Sequence, residues 1–138
     1  MSVQLDKEDY FGRMSHLYAP SAEVQDNAEI LLTRVNALLA VINESHPGIE
    51  AAMRPRVNSG WRPAEYNATV PNAAPRSKHI TGQAIDIADP EGELDELLLN
   101  HPSLLEMAGL WLEHPLATKG WSHWQCVPPR SGNRVFYP

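Results

Sequence analysis

A stripe of apolar residues runs through positions 21–45. Val24, Ala28, Leu31, Leu32, Val35, Leu38, Leu39 and Ile42 recur at helical spacing, with Gln25, Asp26, Glu29, Arg34 and Asn36 between them. That pattern makes a helix with one buried face. Ser21 is placed to cap it, Glu23 lies in its first turn, and Pro47-Gly48 ends it. A helix of this kind needs a second layer to cover its apolar side. The rest of the chain offers short strands at about 56–61, 84–88, 110–112, 121–127 and 134–137. It also offers short helices at 93–99 and 103–108, the second capped by Ser103. The expected fold is α+β: a long N-terminal helix packed on a small, mainly antiparallel sheet with short helices. The chain's 138 residues suit one domain, with 1–20 as an arm of no clear period that packs on it. Residues 62–75 read as a polar loop, long for a compact domain, and such loops are usually functional.

Composition removes several function classes. The formal net charge is -6, with no run of Lys or Arg, so nucleic acid is not an expected partner. The longest apolar run, Ala37 to Ile42, is too short to span a bilayer. The N-terminus has neither a basic segment nor an apolar one, so no secretory signal is read and export must use another route. A single cysteine, Cys126, allows no internal disulfide.

The chemistry gathers in Arg76-Ser77-Lys78-His79-Ile80-Thr81-Gly82-Gln83-Ala84-Ile85-Asp86-Ile87-Ala88-Asp89. Side chains alternate along a strand, so Ile85 and Ile87 enter a core while Asp86 faces the other way. Gly82 allows a turn sharp enough to bring His79 beside Asp86. An imidazole and a carboxylate meeting at one point are two-thirds of a catalytic zinc site, which takes three protein ligands and leaves a position for water. The third ligand must come from elsewhere. Of the other histidines, His16 lies in the arm, and His46 and His101 each precede a proline at a helix end. His123 lies in a strand, Trp121-Ser122-His123-Trp124-Gln125. There alternation puts Trp121, His123 and Gln125 on one face and Ser122, Trp124 and Cys126 on the other. Cys126 is therefore read as a buried free thiol.

Ser77-x-His79-x-x-Gly82-x-Ala84-x-Asp86, followed by a late strand with another histidine, resembles the M15 family of zinc peptidases. That family includes D-alanyl-D-alanine carboxypeptidases and the L-alanyl-D-glutamate endopeptidases of phage endolysins. Ser59-Gly60-Trp61-Arg62-Pro63 is similar to the family's Ser-Gly-Tyr-Arg segment, and the resemblance covers roughly residues 56 to 126. It implies Zn2+ held by His79, Asp86 and His123 in a cleft on the sheet, and hydrolysis of a peptide bond in peptidoglycan. Arg62 is placed by it to stabilise an oxyanion or clamp a substrate carboxylate. Ser77 and Gln125 are candidate substrate contacts, and Gln125 is also a candidate for orienting a ligand. A monomer acting on the cell wall after lysis-type release, or as part of a virion, is the expected context.

The pattern departs from the family at one place. Many members carry an acid three positions before the last histidine, and here that position is Gly120. Glu113 is the nearest upstream carboxylate. It reaches the site if strands 110–112 and 121–127 pair as a hairpin, and His114 stands behind it as a second candidate base. The gap leaves a second class open, a non-catalytic zinc-containing module that binds peptidoglycan or assembles in a virion. A third is a structural protein without metal.

Overall fold

The computed structural model describes residues 4–138. The arm opens with two short helices, α1 (Lys7–Phe11) and α2 (Met14–Leu17), which no apolar period announces. What starts α1 is a reciprocal capping box. Asp6 Oδ1 accepts from the Asp9 N–H at 2.8 Å, and Asp9 Oδ2 accepts from the Asp6 N–H at 2.9 Å. The arm packs as expected. Tyr10 and Phe11 are buried, and Phe11 meets Trp61 edge-on with ring centroids 5.7 Å apart.

The long helix is α3 (Ala22–Ser45), capped by Ser21 Oγ, which accepts from the Val24 N–H at 3.1 Å. Its stripe is core: Ala28, Leu31, Val35, Leu38, Leu39 and Ile42 are each 0% exposed. A single turn, α4 (Glu50–Met53), follows without having been anticipated, and β1 (Val57–Ser59) comes next. The segment 62–75 is not all loop, because α5 (Ala64–Asn67) interrupts it. Asn67 explains the turn: it is buried and its Nδ2 donates to the Ala74 carbonyl at 2.9 Å, tying both ends of the segment together.

Then come β2 (Ala84–Asp89), α6 (Glu93–Asn100), α7 (Pro102–Ala108), β3 (Trp111–Glu113), a 3-10 turn at Pro115–Ala117, β4 (Gly120–Gln125) and β5 (Val135–Phe136). Ser103 does not cap α7. The helix starts one residue earlier at Pro102, whose fixed φ and missing N–H suit the first helical position, and His101 precedes it without a side-chain cap.

The five strands form one sheet in the order β1-β2-β4-β3-β5, antiparallel throughout except for the β3–β5 edge pair. Ile85, Ile87, Leu112 and Trp124 share one core with the α3 stripe. Arg34 of α3 ties the layers together, its Nη1 donating to the Gly109 and Cys126 carbonyls at 3.0 Å each. No helix among the described residues is long and apolar enough to cross a membrane.

The helix-facing side of the sheet holds a carboxylate pair. Asp89 accepts from the N–H groups of Leu94 and Asp95, at 3.1 and 3.0 Å, and so caps α6. Asp95 is buried with no hydrogen-bond partner on Oδ1, and its Oδ2 accepts a long bond, 3.4 Å, from Thr118. Burial pushes Asp95 up from 3.8 to about 7, against the hydroxyls of Ser122 and Thr118 and with help from the charges of Asp89 and Glu113. The folded chain thus holds this proton more tightly than the unfolded chain does. Stability falls as pH rises from about 4 to about 7 and stays lower above that window. Asp95→Asn removes the buried charge. Thermal melts should show it stabilised by on the order of 5 °C at pH 8 and not stabilised at pH 4.

Candidate metal centre

The β2–β4 register sets Asp86 directly opposite His123. Their neighbours Ile85, Ile87 and Trp124 are wholly buried in the core, so alternation turns Asp86 and His123 to the other face. His79 arrives from the turn before β2. Gly82 makes that turn with φ +76°, and a Cβ there would stand 2.8 Å from the Val24 carbonyl oxygen of α3. Glycine is required for the dihedral and for the close approach. His79, Asp86 and His123 converge, their ligand atoms all lying within 4.8 Å of one another, and all three are buried.

Hydrogen bonds on the far side of each ring fix what it presents to Asp86. His79 Nδ1 lies 2.8 Å from the Gly60 carbonyl oxygen, which can only accept, so Nδ1 carries the proton. Gln125 Nε2 donates to the Val127 carbonyl at 2.9 Å, which turns Gln125 Oε1 towards His123 Nε2 at 3.0 Å. That oxygen also only accepts, so His123 Nε2 carries the proton. In the neutral form of each ring, His79 aims a lone pair from Nε2 at Asp86 Oδ2, 3.2 Å away, and His123 aims one from Nδ1 at Asp86 Oδ1, 2.8 Å away. Lone pairs facing a carboxylate at these distances call for a cation between them, either added protons or a metal ion. Two nitrogens and one carboxylate, each ring held by an acceptor behind it, make a donor set that can hold a metal ion.

The electrostatics agree. Burial pushes the Asp86 carboxyl up, but the charge and hydrogen bonds of the two histidines outweigh it and hold it well below the usual carboxylate range. Burial disfavours a charged His123, yet the Asp86 carboxylate raises its pKa above the ordinary value.

The centre lies in a cleft of about 720 Å³ that Arg62, Ser77, Glu113 and Gln125 also line. Trp111 and Leu112 pair with Gln125 and Trp124, so β3 and β4 form the expected hairpin. The next position in that register sets Glu113 across from His123 on the cleft face. Burial raises the Glu113 carboxyl, His123 lowers it and Asp86 raises it, with a net upward shift. Arg62 donates from Nη2 to Ser77 Oγ at 3.2 Å, and the same oxygen accepts from the His79 N–H at 3.2 Å. Arg62 Nε is buried without a partner. His114 is not brought to the cleft. Its Nδ1 accepts from the Leu116 N–H at 3.1 Å, capping the 3-10 turn, and its ring stacks on Tyr137 with centroids 4.5 Å apart.

Sequence reasoning missed two supports, Gly60 and Tyr10. The Gly60 carbonyl orients His79, and the Tyr10 carbonyl accepts from the Trp61 N–H at 3.3 Å. A Cβ on Gly60 would overlap that Tyr10 oxygen. The Tyr10 hydroxyl donates to the Ala84 carbonyl at 2.9 Å, at the start of the strand that carries Asp86. The arm thus braces the supports of two ligands. A Ser-Gly pair after a short strand is the only sequence signal of this.

Comparison of the chain with protein-family models, with curated proteins and with solved structures finds no match in any of the three.

Gly60→Ala should push the carbonyl off His79 and weaken metal binding by about 10–100-fold without touching a ligand. Chelator competition measures this. Unchanged affinity in a folded variant removes the Gly60 carbonyl from the role.

Proposed function

We propose that this chain is a zinc-dependent peptidase of the M15 type, hydrolysing peptide bonds in the stem peptides or cross-links of bacterial peptidoglycan. The observation that carries the reading is the pair of proton-fixed imidazoles facing one carboxylate beside Glu113. The motif resemblance supplies the peptidase class and the cell-wall substrate. His79 Nε2, Asp86 and His123 Nδ1 would hold the ion. Two imidazole nitrogens and one carboxylate, with room beside them in the cleft, suit zinc in a catalytic site. When bound, zinc lowers the pKa of water towards ~7 and polarises a carbonyl.

The chain's own residues supply the remainder. Glu113, across from His123, takes the proton of the attacking water and returns it to the amine that leaves. Its partly buried carboxyl is the more basic for its surroundings. Arg62, which lines the cleft, presents a rigid fork of donors to the oxyanion or to a substrate carboxylate. Ser77 holds that fork in place while binding the His79 backbone. Gln125 keeps the His123 proton on Nε2.

A second reading rests on Gly120, which stands where much of the family carries its acid. On that reading the chain is a non-catalytic zinc-containing module that binds peptidoglycan or takes a structural place in a virion.

Purified protein should carry about one zinc ion per chain, lost in His79→Ala and Asp86→Ala. Incubated with purified sacculi, the zinc-loaded protein should release stem fragments with new amine termini, and mass analysis of these gives the bond. Glu113→Gln should keep its zinc and lose at least 100-fold in release rate. Turnover like that of the unaltered chain takes the base role away from Glu113. No release from any type of sacculus leaves only the non-catalytic module.

A further inference from the structure

The cleft has a charge unlike the rest of the molecule. The chain carries 11 Lys and Arg against 17 Asp and Glu. Four of those cations, Arg62, Arg76, Lys78 and Arg130, line this one cleft, against two acids, Asp86 and Glu113. Both acids are committed at the floor, Asp86 between the histidines and Glu113 across from His123. With a divalent ion bound, the floor is close to neutral and the mouth is positive. Arg76, Lys78 and Arg130 are exposed, and among the described residues none of them is paired with a carboxylate or donates a side-chain hydrogen bond. Arg76 and Lys78 flank Ser77 on one wall, and Arg130 stands in the turn after β4.

Cations left without a carboxylate partner on an acidic protein are free to meet an anion from outside. Gathered around a cleft, they raise the local concentration of anions and select for them. We infer that Arg76, Lys78 and Arg130 are specificity determinants: the cleft takes peptides carrying free carboxylates close to the bond at the metal, and rejects the same peptides once those carboxylates are amidated. This rests on the peptidase reading for the position of the peptide, but the charge preference is a property of binding and can be read without cleavage.

The probes are stem peptides released from sacculi, in two forms, one with free carboxylates and one with the carboxylates converted to amides. Binding to the zinc-loaded chain is followed by tryptophan fluorescence, since Trp121 lines the cleft. The free-acid form should bind about tenfold more tightly at low salt, with the advantage shrinking between 50 and 300 mM salt. The triple variant Arg76→Gln/Lys78→Gln/Arg130→Gln should lose the advantage with its zinc content and thermal midpoint unchanged. Equal binding of the two forms, or no binding of either, overturns the inference, as does a preference that survives the triple variant. A preference without any cleavage leaves the inference standing and counts against the peptidase reading. Cleavage of both forms at equal rates, with equal binding, does the reverse.

Discussion

Two imidazoles are made to face one carboxylate, and the rest of the site depends on that confrontation. A histidine beside an aspartate is ordinarily a hydrogen bond. Here the far nitrogen of each ring is already committed, His79 to the Gly60 carbonyl and His123 to Gln125. The near nitrogens of the neutral rings then point lone pairs at Asp86. In a buried setting such repulsion is weakly screened and costs several kcal/mol unless a cation relieves it. A proton on His123 Nδ1 does this for one of the contacts, and the Asp86 carboxylate favours it. A single divalent ion relieves both contacts at once. The capacity to hold a metal ion therefore rests on the acceptors behind the rings as much as on His79, Asp86 and His123 themselves.

What holds the three ligands in place is the core. Asp86 alternates with Ile85 and Ile87, and His123 neighbours Trp124; the two isoleucines and the tryptophan are 0% exposed. A one-residue slip of β2 against β4 would turn the isoleucines into the cleft and the carboxylate into the core. The penalty for that slip is large because the α3 stripe already occupies the far side of the same core. The long helix lies across the core from these side chains, yet it fixes which face they use. The arm acts on the same parts from the other end, with the Tyr10 backbone against Gly60 and the Tyr10 hydroxyl on Ala84.

Periodicity made the α3 stripe and the alternation around Asp86 and His123 legible in the sequence, because both patterns are set by burial. The elements it did not show are those built by side-chain hydrogen bonds. The Asp6–Asp9 capping box starts α1 with too few residues for a period to appear, and the buried Asn67 amide closes α5 against Ala74. The start of α7 was misread by one residue because Ser103 suggested a cap where Pro102 already met the need. At the site, His79, Asp86 and His123 could be placed on common ground by strand alternation. Gly60 could not, since its part depends on a carbonyl direction and on the Tyr10 backbone, and neither leaves a mark in residue type. His114 reads as a spare base beside Glu113, but neighbours on an extended strand face opposite ways, and its ring stacks on Tyr137 instead.

The same alternation bears on the missing acid. Position 120 opens β4, where Gly120 is exposed with φ +95° and a Cβ would have nothing within 4 Å. That backbone conformation favours glycine, so an acid there would be strained whatever surrounds it. Glu113 stands in regular strand geometry instead. It follows Leu112, which is buried opposite Trp124, so it turns to the cleft face across from His123. In this sheet the carboxylate beside the histidine comes from the neighbouring strand, and position 120 suits glycine for its backbone conformation.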